Sequence, residues 1–225
     1  MSAEVITLNK KIIKCNKCPR LIKFRQKIIQ NKRKQYVNEK YWGKPITGFG
    51  DIKGQMLFVG LAPAAHGATR TGRVFTGDKS SEFLYKCLYG AKISNQHTSE
   101  HINDGLKLNN AFITAALKCV PPEDKPTKNE LVNCFNFFEQ EIFLLKNLKV
   151  IIALGKIAFD ACIEFYKYNH DLKNKYKFIH GKIYKLPKDI MLVGCYHPSP
   201  RNVNTGRINQ KKMTSLFKNI KKKIN

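Results

Sequence analysis

The sequence predicts an α/β fold, a three-layer α/β/α sandwich in which helices cover both faces of a central, mostly parallel sheet. Short apolar runs rich in β-branched residues alternate with longer amphipathic segments along the chain. The apolar runs lack the polar–apolar alternation of half-exposed strands, which is typical of strands buried on both faces. No internal repeat or linker interrupts the pattern, so we expect residues 1–225 to form a single domain.

Four apolar runs are predicted to be strands, since each is too short for a stable helix. They are residues 56–61, 111–117, 150–154 and 190–196. The amphipathic segments predict helices at residues 19–36, 80–89, 127–148, 156–168 and 209–224. The third helix opens on a capping box formed by Thr127 and Glu130. The lysine-rich stretch 167–188 is predicted to be a surface excursion.

The chain carries a large excess of positive charge. Its 41 Lys and Arg residues stand against 16 Asp and Glu, and the formal net charge of +25 favours polyanions such as nucleic acid or an anionic membrane surface. A coding bias toward Lys and Asn explains part of the excess. The seven arginines are more informative, because a planar guanidinium suits phosphate. Four of them lie in loops rich in Gly or Pro: Arg70, Arg73, Arg201 and Arg207.

The apolar runs also bear on location. The longest of them fall far short of the roughly 20 residues that cross a bilayer. Residues 1–11 contain no apolar signal region. We therefore expect a cytoplasmic protein with no membrane partner.

The seven cysteines predict a metal or cluster site rather than disulfides, because their number is odd and nothing suggests export. Cys15 and Cys18 have the spacing of a ligand pair, and Cys119 and Cys134 are the expected partners. Fourteen residues separate Cys119 from Cys134, so the second close pair of many zinc sites is missing. This favours a four-cysteine [4Fe–4S] cluster, with structural zinc as the alternative. The remaining three are predicted core residues: Cys87, Cys162 and Cys195.

Each predicted strand is followed by a loop of unusual composition, and the carboxyl edge of an open α/β sheet is where ligands bind. The loop after the first strand contains small residues that let backbone amides approach a ligand, or that simply make a tight turn. Its candidate binding residues are Gly60, Ala62, Ala64, Ala65, His66, Gly67, Arg70, Arg73 and Phe75, and Asp78 is its candidate catalytic carboxylate. The loop after the last strand begins at His197, which can donate a hydrogen bond into a pocket. Pro198 and Pro200 are expected to hold the chain extended, with Arg201, Asn202 and Arg207 beyond.

These motifs resemble the uracil-DNA glycosylase superfamily, above all its iron–sulfur type-5 branch. The matching blocks are CNKCPRL from Cys15, GLAPAAHGATRTGRVFTGD from Gly60, ALKCVPPEDKP from Ala116 with Cys134 beyond, and HPSPRNVNTGR from His197. The resemblance implies one domain with a four-stranded sheet, expected to be monomeric. It also implies a structural [4Fe–4S] cluster on the four cysteines. The implied activity is removal of uracil, and of other deaminated bases such as hypoxanthine, from DNA at the start of base excision repair.

The resemblance also implies roles for single residues. His197 donates to the base O2 as negative charge develops there, Phe75 stacks on the base, and backbone amides of residues 60–67 hold the base edge and the water. Asp78 is the nearest carboxylate in the motif and the candidate for contact with the water. Asn202 is expected at the flipped sugar–phosphate. The four loop arginines are expected in the groove or on phosphates.

Three positions depart from related branches. Leu61 and Ala62 stand where other branches carry a water-activating Asp or Glu. Thr114 and Ala115 stand where some branches read uracil with Asn, and Arg201 replaces a Leu wedge. The pattern predicts a looser pocket with broader base tolerance. The missing carboxylate also leaves a rival interpretation, a non-catalytic iron–sulfur nucleic-acid-binding protein.

Overall fold

A computed structural model describes residues 2–170, 172 and 174–224. Its strands are β1 (Phe49–Gly50), β2 (Met56–Gly60), β3 (Ala111–Ala115), β4 (Val150–Leu154), β5 (Ile183–Lys185) and β6 (Met191–Cys195). They form one sheet in the order β1-β3-β2-β4-β6-β5. The four central strands are the predicted ones and run parallel to each other. All of their residues are buried except Met191, which is half-buried, and this explains their unbroken apolar sequences.

Two short antiparallel strands extend the four predicted strands to six. β1 pairs with β3, and β5 pairs with β6. Neither carries a sequence signal, because β1 has two residues and β5 has three, none of them buried. β5 lies in the predicted surface excursion 167–188, of which residues 171 and 173 lie outside the described part of the chain.

The helices are α1 (Ala3–Ile13), α2 (Pro19–Gln30), α3 (Ala68–Thr71), α4 (Lys79–Gly90), α5 (Lys128–Leu144), α6 (Lys156–His170), α7 (Pro200–Asn204) and α8 (Gln210–Ile224). The five predicted helices are present, and the Thr127 capping box opens α5. The helix predicted over 19–36 ends at Gln30, before a separate 3-10 turn at Lys34–Tyr36. The expectation of extended chain after Pro198 is wrong, because Pro200 takes the first position of α7, where its fixed φ suits a helix.

The helices form a layer on each face of the sheet. α4 and α8 cover one face through a core that includes Leu84 and Phe217. α5 and α6 cover the other through Phe138 and Phe159. This confirms the α/β/α sandwich. Within the described residues no helix is long and apolar enough to span a bilayer.

The N-terminal hairpin of α1 and α2 packs at one end of this sandwich. Leu8, Ile12 and Leu21 share an apolar cluster with Leu117 and Phe137. Arg20 on α2 forms a forked ion pair with Glu130 on α5, with both N···O distances 2.7 Å. The hairpin thereby places Cys15 and Cys18, which lie between its helices, beside the end of β3.

Candidate active site and cysteine pocket

An open groove of about 1010 Å³ lies at the carboxyl edge of the sheet. Segments 33–39, 64–70, 77–82 and 98–101 line it. The loop after β2 therefore faces a space large enough for a polymeric ligand. We expected this, because ligands bind at the carboxyl ends of the strands in open α/β sheets. The segments 33–39 and 98–101 carried no signal in the sequence.

Phe75 and His197 come together from loops that follow β2 and β6, and neither is among the residues that line the groove. Their ring centroids are 6.0 Å apart with an interplanar angle of 33°. The Phe75 ring also lies over Gly60, where an added Cβ would be 2.7 Å from Phe75 Cε2. Gly60 is thus small because Phe75 packs on it, rather than to admit a ligand as the sequence suggested. Phe75 itself has a left-handed backbone with φ of 47°.

His197 is a neutral imidazole at physiological pH. Burial lowers its pKa from 6.5 to about 4. The side-chain amide of Asn202 donates to the His197 carbonyl at 2.9 Å, which ties the start of α7 to the end of β6. Ser199 caps α7 by accepting from the backbone N–H of Asn202. Asn202 thus has a structural contact in addition to its expected role at DNA. The loop presents a fixed, uncharged hydrogen-bond donor next to Phe75.

Asp78 lines the groove and also begins α4. Its Oδ1 accepts from the Ser81 backbone N–H at 2.9 Å, and Ser81 Oγ lies 3.0 Å from the Asp78 amide in a reciprocal capping box. Burial raises the pKa of the Asp78 carboxyl, and the hydrogen bonds from Ser81 oppose that rise. The Oδ2 side of the carboxylate packs against Gly67, so any side chain at position 67 would collide with it.

The structure places the side chains of Arg70 and Arg73 in contacts within the protein, whereas the sequence suggested phosphate contacts. The Arg70 guanidinium lies 3.9 Å from the Tyr36 ring centroid, donates to the carbonyls of His66 and Gly77, and pairs with Glu39. Arg73 is 4% exposed and forms a fork with Asp104, with N···O distances of 2.6 and 2.8 Å. Both arginines hold the loop together from inside. Arg201 and Arg207, by contrast, are exposed.

The candidate binding residues of the loop after β2 lie in two different environments. Ala64, Ala65, His66 and Gly67 line the groove. His66 Nδ1 lies 2.8 Å from the Tyr41 hydroxyl, and its pKa is lowered by burial and by the nearby Arg33 and Arg70 charges. Ala62 packs instead against the apolar cluster that holds the cysteines. Its side chain is therefore directed away from the groove.

Cys15, Cys18, Cys119 and Cys134 line a single pocket. Three of the four sulfur atoms have nitrogen donors nearby. Arg25 Nη1 is 3.1 Å from Cys119 Sγ, the Lys118 amide is 3.2 Å from Cys134 Sγ, and Asn133 Nδ2 is 3.7 Å from Cys18 Sγ. Donors of this kind stabilise negative charge on sulfur, and they tune clusters bound by thiolates. The other three cysteines are buried in the two main cores, as predicted.

In the described part of the chain, no three or more His, Cys, Asp or Glu side chains are arranged to hold a metal ion. Burial raises the pKa of Cys119 to about 11 and that of Cys134 to about 12, so thiolates here require a cationic partner. Four cysteine sulfurs around one pocket, with nitrogen donors beside three of them, are a donor set that suits a thiolate-bound metal site.

Comparison with known proteins decides the family. A family model described as the uracil DNA glycosylase superfamily matches residues 47–221. The chain belongs to the uracil-DNA glycosylase superfamily. A type-5 uracil-DNA glycosylase from Mycobacterium leprae is 39% identical over 98% of this chain and 96% of that protein. One from Thermus thermophilus is 39% identical over 92% and 93%. A type-4 enzyme from Archaeoglobus fulgidus is 26% identical over 68% and 70%. The resemblance read from the motifs is confirmed.

Several residues of this glycosylase site escaped sequence analysis. Tyr36 and Tyr41 contact His66, and Ser99 and Asp104 contact the loop that carries Phe75. They lie in segments without regular periodicity, and single polar residues in such segments carry no local signal. Arg25 lies on α2, seven residues after Cys18, and contacts Cys119 Sγ at 3.1 Å.

Proposed function

We propose that the protein hydrolyses the N-glycosidic bond between uracil and deoxyribose in DNA and leaves an abasic site for base excision repair. The proposal rests chiefly on the juxtaposition of Phe75 and a neutral His197 at the carboxyl edge of the sheet. An aromatic ring beside a neutral donor suits a flipped pyrimidine whose oxygen gains charge. The named activity of the type-5 relatives supports the same reaction.

The reaction requires the nucleotide to leave the base stack, at a cost of a few kcal/mol that is lowest in mismatches such as uracil opposite guanine. Phe75 stacks on the extruded base. As the bond from the sugar C1′ to the base breaks, its electron pair moves to the base, and His197 donates a hydrogen bond to the oxygen that becomes negative. Water then adds to C1′, and the proton it releases passes through solvent to the base anion, so that neutral base and an abasic sugar are formed. We assign Asp78, which lines the groove, the role of orienting that water, and backbone amides of residues 64–67 that of holding the base edge.

We also propose that the pocket of Cys15, Cys18, Cys119 and Cys134 holds a [4Fe–4S] cluster. The cluster would supply four strong iron–sulfur bonds that tie the N-terminal hairpin to β3 and α5. The pocket, its nitrogen donors and the buried thiols support this assignment. Structural rather than redox chemistry is proposed, because the residues that line the cysteine pocket are not among those that line the groove.

DNA is the proposed partner, contacted by Arg201 and Asn202 in α7 and by Arg207 beyond it. The net charge of +25 adds long-range attraction. Hypoxanthine and other deaminated bases are proposed as further substrates, since Thr114 is engaged by Glu141 and Lys118 and does not offer a uracil-specific amide. We propose that the chain acts as a single-domain monomer in the cytoplasm, with chromosomal DNA.

A base-release assay tests this function. Oligonucleotides carrying one uracil or hypoxanthine, opposite each normal base or single-stranded, are incubated with protein and then cut with alkali at abasic sites. We expect cleavage at uracil opposite guanine, and cleavage at hypoxanthine. Binding to these oligonucleotides without any alkali-labile product would instead establish the rival non-catalytic DNA-binding protein.

A further inference from the structure

We infer that Ser99 is a positioning residue for Phe75, acting through a buried polar cluster of Arg73, Thr76, Ser99 and Asp104, here called the Ser99 cluster. The inference rests on the proposed function, in which Phe75 stacks on the flipped base. It assigns a role to segment 94–104, which has no strand or helix and which the reaction otherwise leaves unused.

Phe75 needs support because its backbone is strained. A φ of 47° is the left-handed region, which a bulky residue such as Phe adopts only when its surroundings impose it. Two hydrogen bonds join this turn to Ser99. Ser99 Oγ lies 3.0 Å from the Phe75 carbonyl oxygen, and the Gly77 amide donates to the Ser99 carbonyl at 2.8 Å. They fix the peptide groups on both sides of Thr76, and hence the direction of the Phe75 ring.

The Phe75 carbonyl can only accept, so the Ser99 hydroxyl is the donor in the bond between them. Thr76 Oγ1 lies 2.8 Å from Ser99 Oγ and 3.2 Å from the Val74 carbonyl, and it can donate to either. Arg73 donates to both hydroxyls, from Nη2 to Ser99 at 3.1 Å and from Nε to Thr76 at 2.9 Å. Ser99 thus links the buried Arg73 guanidinium to the Phe75 carbonyl.

Asp104 fixes Arg73 in this orientation. Its two carboxylate oxygens accept from the two terminal nitrogens of Arg73, and also from the backbone amides of Glu100 and Leu106. All three side chains of Arg73, Ser99 and Asp104 are nearly inaccessible to solvent. Through the Ser99 cluster, segment 94–104 thus helps to fix the position of the Phe75 ring, which faces His197.

The test compares Ser99→Ala with Ser94→Ala. Ser94 is a matched control, since it lies in the same segment, is also buried, and donates to the backbone carbonyl of Gln96 at 2.8 Å. Both variants lose a buried hydroxyl. Ser94→Ala removes one hydrogen bond, whereas Ser99→Ala removes three, to Phe75, Thr76 and Arg73, and only Ser99→Ala releases Phe75. We expect Ser99→Ala to slow single-turnover uracil release by roughly five- to tenfold, the equivalent of one hydrogen bond, with DNA affinity unchanged. Ser94→Ala should release uracil at the wild-type rate.

The Phe75→Ala background separates positioning from general stability. In Phe75→Ala protein, adding Ser99→Ala should not slow uracil release any further, although it should still lower the melting temperature. Equal rates for Ser99→Ala and Ser94→Ala, or an undiminished loss in the Phe75→Ala background, would overturn the positioning role while leaving the glycosylase assignment intact. A Phe75→Ala protein with the wild-type rate would overturn the stacking role itself, and this inference with it.

Discussion

His197 shows how burial prepares a side chain for its part in the reaction. The neutral form donates one hydrogen bond without placing a full charge in the pocket. We predict that His197→Ala slows single-turnover uracil release by on the order of 10²–10³-fold, the loss expected for one donor to a developing oxyanion. Affinity for DNA should change little, because the bond strengthens mainly in the transition state. Near wild-type release by His197→Ala would move the main catalytic role to another residue.

The depressed pKa of His197 also makes a prediction about stability. The folded protein binds a proton at His197 only near pH 4, whereas the unfolded chain does so near 6.5. The free energy of unfolding that comes from keeping His197 neutral is fully present above pH 6.5 and is lost as the pH falls toward 4. Between pH 7 and pH 5, wild-type protein should lose on the order of 1–2 kcal/mol more unfolding free energy than His197→Gln. Urea unfolding at both pH values measures the difference, and identical pH dependence would contradict the burial of His197.

Asp78 allows capping and chemistry to be separated. Asn caps helices about as well as Asp, so Asp78→Asn should keep the melting temperature within a few degrees of wild type. If the carboxylate orients the water, release should still slow by about 10- to 100-fold. Asp78→Ala is the comparison, because it loses both the cap and the carboxylate. Wild-type release by Asp78→Asn would show that backbone groups alone hold the water.

At the scale of secondary structure, the elements with long apolar patterns could be predicted and the others could not. The strand Val150–Leu154 has the predicted bounds, because all its side chains are buried and its sequence records that directly. β5 is formed by pairing with β6, and its exposed residues leave no trace of this. α1 buries only Val5, Leu8 and Ile12 against the rest of the protein. Tertiary contact rather than local preference fixes such elements.

The same limit applies to the site. Spacing and residue type brought together the four cysteines, Phe75, His197 and Asp78. They did not reveal that Arg73 is buried, since the partner Asp104 lies 31 residues away in an irregular segment. A loop arginine looks the same in the sequence whether it faces a phosphate or a buried carboxylate.

The N-terminal hairpin gives a prediction about its cysteines. Changing Cys15, Cys18, Cys119 or Cys134 to Ser should lose iron and soluble protein together, because the hairpin would then be tied mainly by the Arg20–Glu130 pair and a small apolar cluster. Changing Cys87, Cys162 or Cys195 should leave the iron in place. Metal analysis and absorbance near 400 nm report on each variant. One zinc per chain, or iron retained by Cys119→Ser, would contradict the cluster.

Charge acts at the scale of the whole molecule, and the structure indicates which cationic side chains are free to contact DNA. Arg201→Ala and Arg207→Ala should each weaken DNA binding and reduce the slope of log K against log salt by about one. Lys177→Ala is the control, since Lys177 is also exposed but lies on the excursion near β5. Titrations at several salt concentrations compare the three. An equal change for Lys177→Ala would show that the positive charge acts without a defined binding face.

Gly60 and Gly67 have a consequence for reading alignments of this superfamily. The space that a side chain would need is filled from within the protein, by Phe75 at position 60 and by Asp78 at position 67. Conservation of glycine at these two positions would therefore reflect the packing of two neighbouring side chains rather than contact with a ligand. A homologue that lost the aromatic ring or the carboxylate would be free to drift at the matching glycine. Paired change at 60 with 75, and at 67 with 78, is the evolutionary signature to expect.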